Sequence, residues 1–169
     1  MATLADEFTE VFRSEHRQVR DALLGLIEAF EGRDADRARS LLGDIAALTG
    51  PHFRYEEESL YPALTAFFGS QYVEKLLGDH DAAIGAAARL VEIAGQDALA
   101  GEDVSEATRL VRGILPHVSD CDGLALMVEV LEPEAVESIL STRERALEEG
   151  LGLLEWAKRK RRRLVRRPV

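Results

Sequence analysis

The sequence predicts an all-α protein: an up-down-up-down four-helix bundle with an additional C-terminal helix. Apolar residues recur at three- and four-residue steps through successive long segments, the pattern of a helix with one buried face. The apolar set is rich in Leu and Ala and only 6% of the chain is aromatic, which favours helices over strands. No stretch shows the strict alternation of a half-buried strand, and no repeat of solenoid length is present.

The first helix spans about residues 4 to 30, with Leu4, Phe8, Phe12, His16, Val19, Leu23, Ile27 and Phe30 on one stripe, and Gly32 ends it. Asp34 or Asp36 can cap the second helix, whose stripe is Leu41, Ile45, Leu48, His52, Glu56, Leu60 and Leu64. Gly50-Pro51 falls inside that helix, and the missing proline N–H predicts a kink just before His52. Gly69-Ser70 closes the segment. The third helix, about residues 71 to 94, carries Val73, Leu76, His80, Ile84, Ala87 and Val91. After a loop over 95–101, the fourth starts near Asp103 and carries Val104, Ala107, Val111, Ile114, His117, Cys121, Leu124 and Val128, with Pro116 just before its histidine. Glu132-Pro133 breaks this pattern. Pro133 suits the first turn of a further helix running through Ile139, Ala146, Leu147, Leu151 and Leu154 to about Trp156. The expected organisation is a bundle over 1–132, a C-terminal helix over 133–157 and a basic tail over 158–169.

At 169 residues the chain can bury a sizeable core without staples. Its 46% hydrophobic and 31% charged composition is that of a globular protein. No apolar run approaches the roughly 20 residues that cross a bilayer, and the first residues have no basic n-region. The single Cys121 cannot form an internal disulfide, so a cytoplasmic location is expected. Eight of the 21 basic residues lie in 157–169, leaving the first 156 residues with 13 against 31 acidic ones and a formal charge of −18. So acidic a body disfavours nucleic acid, and no base-reading motif is present.

All four histidines, His16, His52, His80 and His117, sit on the apolar stripe of their own helix, near its middle. Stacked up-down-up-down, the helices bring four imidazoles to one level of the core, and Glu56 follows His52 by one helical turn. A lone histidine on such a face is more often a hydrogen-bonded core residue than a ligand. Four together in one layer would cost several kcal/mol in desolvation without partners, roughly, and a metal ion supplies those partners. Imidazoles with a buried carboxylate are the ligand set of a transition-metal site.

These residues carry a family resemblance. His16, the run His52-Phe53-Arg54-Tyr55-Glu56-Glu57-Glu58-Ser59-Leu60-Tyr61-Pro62, His80 and His117 resemble the hemerythrin-like (HHE cation-binding) domain over about residues 8 to 131. The H-x-x-x-E-E-x-x-L-[FY]-P signature is the most specific part. The resemblance implies a four-helix bundle with a non-haem di-iron centre, His16 and His52 on one iron, His80 and His117 on the other, and Glu56 bridging. Two departures stand out. Leu76 and Ile84 occupy the positions one turn either side of His80, where hemerythrins proper place a second histidine. Cys121 stands four residues after His117, where HHE domains usually have glutamate. Asp122, five residues on, matches the aspartate of oxygen-transporting hemerythrins. In an ideal helix, however, it points about 140° from His117, so it needs a local π-bulge to reach the metal. Cys121 lies only about 40° away. Asp122 is the favoured second bridge, with Asp120 and Cys121 as alternatives, and Tyr55 is a further candidate through its phenolate. Glu57, Glu58, Asp79 and Asp81 flank the ligands and can hydrogen-bond an imidazole N–H or simply face solvent.

The resemblance implies binding of, or reaction with, O2, peroxide or NO. The missing ligands leave open coordination positions, which moves the expectation from reversible carriage toward redox chemistry, with catalase-like peroxide decomposition as the first enzymatic candidate. An iron-responsive sensing module and a degenerate, metal-free interaction bundle are the alternative readings. The basic tail is read as a separable electrostatic arm that contacts acidic surfaces of the same or another subunit, or other polyanions.

Overall fold

In a computed structural model of the chain, residues 3–161 are described. Helices α1 (Leu4–Glu31), α2 (Ala35–Tyr55), α4 (Ser70–Ala94) and α5 (Gly101–Asp122) pack in the cyclic order α1, α2, α4, α5, each against two neighbours. Their starts follow from local chemistry. Thr3 and Asp6 form a capping box on α1, with Asp6 N–H donating to Thr3 Oγ1 (3.1 Å) and Thr3 N–H to Asp6 Oδ2 (2.8 Å). The Asp34 carboxylate accepts from Arg37 N–H (2.9 Å) at the start of α2, and that of Asp103 from Ala100 N–H (2.8 Å) at the start of α5.

The second expected helix is continuous to Phe68, but a π-helical turn over Glu56–Leu60 divides it into α2 and α3 (Tyr61–Phe68). Gly69, at φ 77°, reverses the chain into α4. After Asp122 the fourth helix tightens into a 3-10 segment, Gly123–Val130. The C-terminal helix expected over 133–157 is instead two helices, α6 (Pro133–Glu149) and α7 (Leu153–Arg159). Gly150 adopts φ 61°, which ends α6 and turns the chain back across the bundle. There the linker crosses α2 so closely that a Cβ on Gly50 would lie 2.1 Å from Leu151 O. Leu153 and Trp156 of α7 are buried with Phe53 and Ala83.

Two apolar clusters fill the bundle. One, toward the α1–α2 and α4–α5 loops, includes Leu23, Leu26, Phe30, Ile45, Leu90 and Val111. The other includes Phe8, Phe12, Leu60, Leu64, Leu76 and Leu124. Along α1, α2 and α4 the histidine falls between these clusters, and on α5 His117 sits at their junction beside Val118 of the first and one turn before Cys121 of the second, so the polar layer is closed above and below by hydrocarbon. No described helix is long and apolar enough to cross a membrane.

Candidate metal centre

The four imidazoles converge as expected, all of them buried. His16 and His52 meet edge to face with ring centroids 4.6 Å apart, and His80 and His117 likewise at 4.8 Å. Each ring turns its Nδ1 outward to an acceptor. His16 Nδ1 is 2.8 Å from Phe12 O, His52 Nδ1 2.7 Å from Glu15 Oε2, His80 Nδ1 2.8 Å from Glu57 Oε1 and His117 Nδ1 3.4 Å from Asp79 Oδ2. With Nδ1 engaged, the inner nitrogen of every ring is Nε2. This is how proteins orient imidazoles toward a metal. Phe53 locks His80 further by flat stacking, with centroids 3.7 Å apart and planes 5° from parallel.

Glu56 occupies the middle. It is fully buried, with Oε1 3.3 Å from His52 Nε2 and Oε2 3.1 Å from His80 Nε2. These are ion-pair distances, yet neither oxygen accepts a hydrogen bond of good geometry. Burial pushes this carboxyl up, but the charges of His52 and His80 outweigh it and hold Glu56 well below the usual carboxylate range. Burial and the neighbouring His52 charge lower His16 to about 4, and burial and His80 likewise lower His117. Burial acts in the same direction on His52, but Glu56 and Glu15 overcome it and raise that ring to about 10.

Ligand-capable atoms within 4.8 Å of one another form two groups, His16–Glu56–Cys121 and Glu56–His80–His117. Glu56 belongs to both. Cys121 Sγ lies 3.7 Å from His117 Nε2, and burial raises its thiol well above the usual range. Asp122 and Asp120 are in neither group. The helix does not bulge after His117: α5 stays α-helical through Asp122, so Cys121 joins the His16–Glu56 group, while Asp122 acts on His16 through its charge. Asp120 is half-exposed and pairs with Lys75 at 3.2 Å. Tyr55 also stays out of the centre, donating to Glu15 Oε2 at 2.7 Å and lying 3.0 Å from His52 Nδ1.

The structure adds residues that sequence reasoning passed over. Tyr61 reaches the centre, its hydroxyl 3.0 Å from His80 Nε2 and 3.4 Å from Cys121 Sγ. The π-turn is responsible, since Tyr61 N–H bonds Glu56 O five residues back and brings a side chain that a regular helix would turn away onto the Glu56 face. Glu15 was legible as the polar residue wedged beside His16 in the stripe Phe8–Phe12–Val19. The Nδ1 contacts of Glu57 and Asp79 depend on how neighbouring helices meet.

A layer of four inward imidazoles around a buried, hydrogen-bond-free carboxylate, with outer carboxylates behind three of them, defines a cation-binding helical bundle. A family profile, the Hemerythrin HHE cation binding domain, matches residues 7–128. The chain belongs to that family. No curated protein and no solved structure matches the chain.

Proposed function

We propose that the chain holds a non-haem di-iron centre that binds or reacts with O2, peroxide or NO. His16, Glu56 and Cys121 serve one metal, Glu56, His80 and His117 the other, and His52 joins the first. The observation that carries this reading is Glu56: both its buried oxygens lack hydrogen bonds while each faces a different imidazole. An unsatisfied buried carboxylate is costly, and a cation on either side satisfies both oxygens at once. The donor set of imidazole, carboxylate and thiol accommodates iron as it does zinc or copper, and iron is the metal that the family resemblance implies. Cys121 stands where the family's second carboxylate belongs and offers one donor atom where a carboxylate offers two, which leaves a position for an exogenous ligand.

When bound, such a centre supplies redox chemistry and polarises a small ligand held at an open position. The chain's own residues do the rest. Glu15, Glu57 and Asp79 fix the ring tautomers, and Tyr61 places a hydroxyl beside His80 that can donate to a ligand at the centre. The apolar clusters above and below exclude bulk water. On the α4–α5 side a cleft of ≈ 240 Å³ lined by Lys75, Asp79, Arg109 and Asp120 borders His117. That is below the size of pockets for drug-sized ligands, roughly 300–1,000 Å³, and fits diatomics and peroxide.

Iron analysis of protein from iron-replete cells tests the proposal. Two irons per chain with near-ultraviolet charge-transfer absorption are expected, and Glu56→Gln should lose most of both. Iron-free wild-type protein would sink it. Peroxide turnover to water and O2 by the loaded protein then separates a reactive centre from an iron-responsive one.

A further inference from the structure

The carboxylates behind two of the histidines are themselves gripped from behind. Glu57, whose Oε1 meets His80 Nδ1, receives two bonds from Arg161, with Nη2 2.8 Å from Oε1 and Nε 3.0 Å from Oε2. Arg161 is well covered, its side chain 12% exposed. Its backbone N–H donates to Trp156 O at 2.9 Å, its guanidinium lies 5.9 Å over the Trp156 ring, and it also bonds Asp81. Glu15 is held more simply, by one arginine bond to one oxygen. Arg143 Nε donates to its Oε1 at 2.7 Å, while Oε2 meets His52 and Tyr55. Both arginines come from α6, α7 and the residues just after them, beyond the 7–128 stretch that defines the family.

We propose that this C-terminal segment is part of the metal site, with Arg161 and Arg143 as positioning residues that act through Glu57 and Glu15 on His80 and His52. The inference rests on the dinuclear reading above and deepens it. A buried carboxylate with a single imidazole partner can rotate about its side-chain torsions. A planar guanidinium bonding both its oxygens fixes its plane, and with it the imidazole it orients. The same bonds draw negative charge off the carboxylate, so the imidazole behind it becomes a weaker electron donor. His117 lacks this support. Its Asp79 is held by Lys75, a half-exposed point charge, on the side where the cleft opens. The centre therefore has a rigid flank built by the C-terminal segment and an adaptable flank at the cleft.

The test uses the full chain, reloaded anaerobically with Fe(II) alone, and follows iron release to a ferrous chelator with Trp156 emission as a check on docking. Arg161→Ala should release iron about ten- to a hundredfold faster, the range for losing an outer-shell partner. Arg161→Lys should fall between, lacking the fork, and Arg159→Ala, an exposed pair with Glu155, should match wild type. In a Glu57→Gln background Arg161→Ala should add nothing, because the arginine acts through Glu57. Wild-type release rates in Arg161→Ala, or a full effect persisting without Glu57, would overturn the proposal. If wild type takes up no iron, the dinuclear reading fails by itself. The positioning claim is then read from the His80 ring nitrogens by NMR in the metal-free protein: a shifted Nδ1 resonance in Arg161→Ala supports it, and an unmoved one overturns it.

Discussion

Gly50 offers a perturbation whose sign the structure reverses. In an exposed helix interior, replacing glycine by alanine stabilises by about 0.5–1 kcal/mol, because alanine loses less backbone freedom. Gly43, in the same helix with nothing within 4 Å of an added Cβ, should behave that way. At Gly50 the added carbon would meet Leu151 O at 2.1 Å, Gly152 C at 2.8 Å and Leu153 N at 2.9 Å. All three are backbone atoms, so no rotamer change relieves them and the linker must move away from α2 by about 1 Å or more. Overpacking of this kind costs about 1–3 kcal/mol. Full undocking would instead expose Trp156, whose truncation alone is worth roughly 3–5 kcal/mol. We expect Gly50→Ala to be destabilised by about 1–5 kcal/mol relative to wild type in urea, with Gly43→Ala slightly more stable. Trp156 is the only tryptophan and is 1% exposed, so its emission should shift to the red in Gly50→Ala alone. Equal or greater stability with unshifted emission would refute the close crossing of the linker over α2, and with it the docking that places Arg161.

Other predictions concern charge and ligands. Metal-free protein should lose stability as pH falls from 6.5 toward 4, because the unfolded chain protonates its His16 equivalent at 6.5 while the folded ring resists until about 4. That gap corresponds to about 3 kcal/mol at about 1.36 kcal/mol per pH unit. His117 adds to the same slope, His16→Leu should flatten it, and urea melts showing flat or rising stability over this window would contradict it. Deleting residues 158–169 should lower stability by about 2 kcal/mol, seen as roughly 4–8 °C in a thermal melt, and speed iron release as Arg161→Ala does; an unchanged melt and release rate would restore the tail as a separable arm. Cys121→Ser should change iron content and spectrum more than Asp122→Ala, and the reverse result would move the ligand to Asp122.

The basic tail shows how far sequence alone reaches. Its charge was visible, and so was the acidic body it could meet, but its separability was not. Lys158 and Arg159 continue α7, and Arg161 docks on Glu57 and Asp81, while residues 162–169 lie outside the described residues. A helix-ending glycine pair at Gly150 and Gly152 was the available signal. The apolar stripe running on through Leu151 and Leu154 masked it.

Periodicity and punctuation by themselves determined the bundle, because an apolar stripe must be buried and proline or glycine must interrupt it. They also determined that four imidazoles and Glu56 share one layer, since a residue's height along a helix follows directly from its number. Rotation about the helix axis is less secure, because a single π-turn changes the facing of every later residue. That is why Tyr61 enters the centre unannounced after Glu56–Leu60, while α5, running regularly through Asp122, turns Cys121 inward instead. Only the tertiary structure could decide which carboxylate stands behind which imidazole. Glu15 to His52, Glu57 to His80 and Arg161 to Glu57 are contacts between different elements, and they depend on how closely and at what angle those elements pack.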